Sequence, residues 1–183
     1  MIYSFTLQEV AIVLGIWSVL VHGWSLWQPA LCKKWALALP RNYPAGVTLM
    51  TAAGLWFCWL IFNADLMDFA PYQNLFLIIT VALTAGTIIF VREFLAVRAL
   101  GALLLLLANV LLDAAFLDNR PSKLVITVLA YVYVICGIVF VAWPYLMRDI
   151  LEWFYKNESR LRLGVVAGLA FGLLLLGLGI FVY

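Results

Sequence analysis

Six stretches of the chain are apolar almost without interruption: residues 7–27, 45–63, 74–91, 99–117, 124–143 and 163–183. Each is close to the length of about 20 residues that an α-helix needs to cross a bilayer. Breakers stand between them. Pro29, Pro40 and Pro44 follow the first run, Pro71 precedes the third, Pro121 precedes the fifth and Pro144 closes it. Two of the connections carry a different pattern. Residues 144–157 place Leu146, Ile150, Leu151 and Phe154 at helical spacing, with Arg148, Asp149, Glu152 and Lys156 on the other side. That is how a helix lying flat in a membrane surface is written. Residues 29–40 repeat it in shorter form, with Leu31 and Trp35 on the apolar side and Lys33 and Lys34 opposite. The pattern predicts an all-α integral membrane protein with six transmembrane helices in one transmembrane domain, plus amphipathic interfacial helices at 29–40 and 144–157.

Composition agrees. Of the 183 residues, 67% are hydrophobic and 11% charged, against roughly 45–50% and about 25% in soluble domains. A soluble chain of this size could not hide that much apolar surface, so lipid is expected to cover it. The net charge of +2 points to no nucleic-acid partner. Its distribution says more, because nine of the eleven basic residues fall in the connections after runs one, three and five: Lys33, Lys34, Arg41, Arg92, Arg98, Arg148, Lys156, Arg160 and Arg162. The other side holds only Arg120 and Lys123, with Asp65 and Asp68 nearby. The positive-inside rule therefore puts these turns, and both interfacial helices, in the cytoplasm and both termini outside, in a plasma membrane such as the bacterial inner membrane. Anionic lipid headgroups on the cytoplasmic side are expected partners of the two surface helices, at about 1 kcal/mol per well-placed basic residue. The first nine residues lack a basic segment and carry Glu9, unlike a cleaved signal peptide. Cys32, Cys58 and Cys136 form no CxxC and are expected to be small packing residues.

The three basic turns look alike. Each leads through glycine into its return helix: Arg41 to Gly46, Arg98 to Gly101, Arg160 and Arg162 to Gly164. The first and third also share an aromatic-proline start, Trp27-Gln28-Pro29 and Trp143-Pro144. The six helices are accordingly expected to form three hairpins folded about these turns, all in one orientation. In the last run Gly164, Gly168 and Gly172 recur every four residues. Such a stripe lets backbones approach closely, which matters where lipid gives helices no hydrophobic reason to associate. Close packing on another helix, in this chain or in a partner, is expected there. Thr80, Thr84 and Thr87 form a similar face on run three, expected to bond their own helix carbonyls.

Polar groups inside apolar runs are expensive and often mark a site. Asp113 lies one turn beyond Asn109 and roughly 22 Å above Arg98 along the helix. Glu9 enters run one from the same outer side. Glu9, Asn109 and Asp113, with Tyr131 or Tyr133, thus make a candidate outward-facing polar site, which Arg120 or Lys123 could neutralise. The alternative is that both carboxylates simply reach headgroup water. Trp24, Trp27, Trp35, Trp143 and Trp153 gather at the expected inner interface, as an aromatic belt does.

The single histidine heads the stretch His22-Gly23-Trp24-Ser25-Leu26-Trp27-Gln28-Pro29. These eight residues resemble the membrane-edge helices of bacterial light-harvesting polypeptides, although with the opposite inferred orientation. The resemblance implies an imidazole that ligates a pigment; an interfacial histidine beside an aromatic belt is the plainer alternative. No HExxH, GxSxG, Walker loop or metal-spaced cluster is present. The expectations are therefore no catalytic residues, no metal and no required cofactor, with a quinone or pigment as the open exception. The leading functional expectation is a non-catalytic subunit or scaffold of a larger membrane complex, associating with other subunits or with itself. Behind it stand a small oligomeric transporter or channel using the outer polar site, and a binder of a lipid-soluble cofactor.

Overall fold

The computed structural model describes residue 3, residues 5–116 and residues 118–183. Among them the chain forms eight α-helices and no strand: α1 (Leu7–Trp27), α2 (Pro29–Ala38), α3 (Tyr43–Asn63), α4 (Gln73–Phe90), α5 (Leu95–Phe116), α6 (Lys123–Ala142), α7 (Tyr145–Tyr155) and α8 (Glu158–Phe181). Short 3-10 turns at Leu39–Arg41 and Met67–Tyr72 lead into α3 and α4. Six helices are long and apolar enough to cross a membrane: α1, α3, α4 with the turn before it, α5, α6 and α8. They fit a multi-pass membrane protein.

Side chains at the helix starts explain where the spans begin. Thr6 and Glu9 form a reciprocal capping box on α1, each side chain accepting from the other's backbone N–H. The Asn42 side chain accepts from Ala45 N at 3.1 Å to open α3, and that of Asn157 accepts from Ser159 N at 2.9 Å to open α8. Two spans start four or five residues earlier than their apolar runs. α8 begins at Glu158 rather than 163, and α5 at Leu95 rather than 99. Arg98, Arg160 and Arg162 are thus helical. A charge marks where a helix leaves the apolar layer, not where it ends, since long basic side chains lay an apolar stem along the helix and extend the head outward.

The turns after α1, α4 and α6 lie at one end of the bundle, the basic end. The expected three hairpins about these turns are not the principal pairing among the described residues. Instead, each span leaving a basic turn packs on the span that next approaches one: α3 on α4, α5 on α6 and, with no loop between them, α8 on α1. The reason is partly geometric. α2 and α7, of 10 and 11 residues, are each about 15 Å long, whereas packed helix axes lie about 8–10 Å apart. The link from α4 to α5 is short, but both helices are drawn to α3: Gly46 receives α5 at Leu95 and Ala96, and Gly54 receives α4 at Thr84.

Each cyclic pair crosses at a glycine. A Cβ on Gly101 would lie 2.8 Å from the Gly137 carbonyl oxygen, and one on Gly15 would lie 3.0 Å from that of Gly172. One on Gly54 would meet Thr84 at 2.6 Å. α5 is the hub, with its buried residues set against α3, α6 and α1. At the end opposite the basic turns, Val10 and Ala11 of α1, Leu111 of α5, Ile126 and Ala130 of α6 and Leu175 of α8 close an apolar core.

Candidate functional sites at the two ends of the bundle

The end opposite the basic turns carries a polar cavity of about 420 Å³. Asp113, on the last turn of α5, lines it together with Thr6 and Gln8 at the start of α1, Asp118 and Arg120 of the α5–α6 turn, and Tyr183. Tyr3 closes one side. Its hydroxyl accepts a hydrogen bond from Trp56 Nε1 at 2.6 Å, and its ring packs beside Phe5 and Trp59. Burial pushes the Tyr3 phenol above its ordinary pKa; the bond from Trp56 opposes this and the nearby Asp113 carboxylate adds to it. Tyr3 therefore stays protonated beside a carboxylate.

Arg120 is held rather than free. Its Nη1 donates to the carbonyls of Val182 (3.1 Å) and Tyr183 (2.6 Å), while its Nε lies 3.9 Å from Asp118 Oδ1. The Tyr183 hydroxyl donates to the Ser122 carbonyl at 2.6 Å. Burial raises its pKa, the Ser122 side chain lowers it, the Asp118 charge raises it and Arg120 lowers it. The turn after α5 is thereby tied to the end of α8.

Of the four residues expected to form one outer site, only Asp113 lines this cavity. Glu9 is committed to its capping box, and Asn109 and Tyr131 are exposed on α5 and α6. Tyr3, Asp118 and Tyr183 join Asp113 instead. No local pattern marks Tyr3 or Tyr183, which reach the site only because α1 and α8 pair beside α5. The cavity can offer a small polar or cationic solute two carboxylates, one of them beside Arg120, and two phenols. It holds no nucleophile next to a base, and among the described residues no group of three His, Cys, Asp or Glu could hold a metal ion.

His22 and the glycine stripe meet along α1 and α8. The Ser18 hydroxyl donates to the Gly168 carbonyl at 3.0 Å. His22 Nδ1 lies 2.7 Å from the Ser18 carbonyl oxygen, so Nδ1 carries the proton and donates. The other ring nitrogen, Nε2, rests where a Cβ on Gly168 would be. Gly172 receives Ser18 and Val19, and Gly164 receives the Phe154 ring of α7. Thr80, Thr84 and Thr87 donate to the carbonyls of Phe76, Thr80 and Leu83, respectively, within their own helix.

At the basic end a second cavity, of about 650 Å³, opens between α1, α2, α7 and α8. Lys33, Arg162, Glu158 and Tyr155 line it beside Leu26 and Val165. Sequence patterning missed this cavity, because its walls come from helices far apart in the chain. The amphipathic α2 and α7 were the one hint.

Comparison with known proteins finds no matching family model, and no known protein or solved structure gives a significant match.

Proposed function

We propose that the chain is a non-catalytic integral membrane subunit that joins other subunits within the plane of the bilayer. Asn109 carries this reading. It sits on α5 about 10 Å short of Phe116 at the helix end, inside the apolar layer. Its side chain is exposed and bonds no group among the described residues. An amide facing hydrocarbon alone costs about 4 kcal/mol or more. A partner's donor and acceptor there recover part of this, at about 1–2 kcal/mol per interhelical bond. On α6 the Tyr131 side chain, 58% exposed, lies at a similar depth.

The test is mild-detergent purification followed by native mass measurement. The wild-type chain is expected with stoichiometric partners or as an oligomer, Asn109→Leu as a lone chain, and Asn109→Gln close to wild type. A wild-type protein that runs as a monodisperse monomer overturns the reading.

A small transporter is the second reading, favoured by the Asp113 carboxylate in the outer cavity. Saturable uptake into vesicles of the purified protein, lost in Asp113→Asn, would support it over the first. Absence of uptake by the wild type removes it.

A further inference from the structure

The cavity at the basic end combines features that no single element supplies. Lys33 comes from α2 and Arg162 from the second turn of α8, two helices separated by most of the chain. Glu158 lines the same cavity, yet among the described residues no carboxylate lies within ion-pairing distance of either cation. The ion pairs among the described residues, Arg120–Asp118, Arg148–Asp149 and Arg148–Glu152, all lie elsewhere. Lys33 has one weak bond, Nζ to the Tyr155 carbonyl at 3.4 Å. Ser25 is already spent on the Val21 carbonyl at 3.0 Å.

The remaining wall is apolar: Leu26, Pro29 and Ala30 on one side, Leu161 and Val165 on the other. Two cations against one carboxylate leave a single positive charge at the mouth, above an apolar floor. Tyr155 adds a phenol whose pKa burial raises, so it stays a donor. The cavity also sits at the basic end of the bundle, with α2 and α7 both contributing to its wall.

We infer that this cavity is a binding site for one anionic phospholipid, its phosphodiester held by Lys33 and Arg162 and an acyl chain lying along Leu26, Leu161 and Val165. The charge decides the class: one residual positive charge complements a monoanionic head. Apolar walls require an attached chain, which inorganic phosphate lacks. The inference rests on the chain residing in a bilayer but not on Asn109 or any partner subunit.

Native mass spectrometry of the full chain in detergent tests it, titrating phosphatidylglycerol, phosphatidylcholine and inorganic phosphate separately. One phosphatidylglycerol per chain is expected to persist, and Lys33→Gln with Arg162→Gln to weaken it about tenfold or more, since hydrogen bonds to charged groups are among the strong ones. A charge-matched control, Arg41→Gln with Arg92→Gln, is expected to change it less than about twofold, because these exposed cations lie outside the cavity. Equal loss in the control overturns the site in favour of diffuse attraction. Equal retention of phosphatidylcholine overturns the charge argument, and competition by inorganic phosphate at the lipid's own concentration overturns the role of the acyl chain. Unchanged Asn109-dependent association in the cavity double variant keeps this test separate from the subunit reading.

Discussion

The pairs α1/α8 and α3/α4 both cross at small residues, but they are built very differently. α1 and α8 lie at opposite ends of the chain with no loop to hold them. Their seam is tight along its whole length: Ile12 at Gly179, Gly15 at Gly172 and Leu176, Ser18 bonded to the Gly168 carbonyl, and His22 laid on Gly168. α3 and α4 are neighbours in sequence. Only Thr80 of α4 is buried, and one close crossing joins Gly54 to Thr84. Pins hold the two ends instead. Gln73 Nε2 donates to the carbonyls of Ile61 and Phe62 at 3.0 Å each, and the Tyr43 hydroxyl donates to that of Ile88 at 3.1 Å.

The difference teaches where contact is needed. Helices in lipid gain nothing from burying apolar surface against each other, so close packing and interhelical bonds must hold them. A covalent turn keeps α4 near α3 at little cost, and light packing suffices. α1 has no such tether to α8, and every level of its seam has to contribute.

The strongest break should come at Gly168. Gly168→Ala places a methyl group into the His22 ring and is expected to destabilise the bundle by about 2 kcal/mol, within the usual cost of overpacking. Combined with His22→Ala, most of that loss should return, because the two sites touch and cannot be additive. Unfolding in graded denaturing detergent measures both. Failure of the second change to rescue the first would mean that the ring is not what the methyl group strikes.

A smaller effect is expected from Ser18→Ala, which removes the bond to Gly168 but keeps the close approach. A loss of about 1 kcal/mol is expected, within the range of about 0.6–2 kcal/mol for interhelical bonds in membranes. Its counterpart on the loose seam, Gly54→Ala, meets only the Thr84 side chain and should cost no more than that.

Smallest of all, Gly86→Ala on α4 and Gly177→Ala on α8 add a methyl group where nothing lies within 4 Å. Each should be neutral or stabilising by about 0.5 kcal/mol, since alanine orders a helix at less entropic cost. A loss at Gly177 as large as that at Gly168 would dissolve the distinction between contact glycines and open ones.

The cyclic order of pairing also sheds light on the three similar basic turns. Their glycines Gly46 and Gly101 do serve one purpose, close approach of the return span to a neighbour, but Gly164 receives the Phe154 ring of the short helix α7. The turns share a job at the bundle's edge more than a hairpin fold.

What the order of residues decided alone is the set of elements. Runs of about 20 apolar residues admit only one economical conformation in hydrocarbon, because every backbone N–H and C=O must be satisfied within the segment. So all six long apolar helices, and the two short helices α2 and α7, are legible from the pattern of residues, within a few residues at the charged starts. Partnership between helices is not, because a face lined with Leu and Val suits lipid and protein equally well. Only the tertiary structure decided that α1 closes on α8, and with it that Tyr3 and Tyr183 gather around Asp113 while Glu9 and Asn109 do not. The same closure brings Lys33 and Arg162 to one cavity from distant helices. Such a site depends on which backbones can approach, and that is settled by a handful of glycines acting between segments that no local pattern connects.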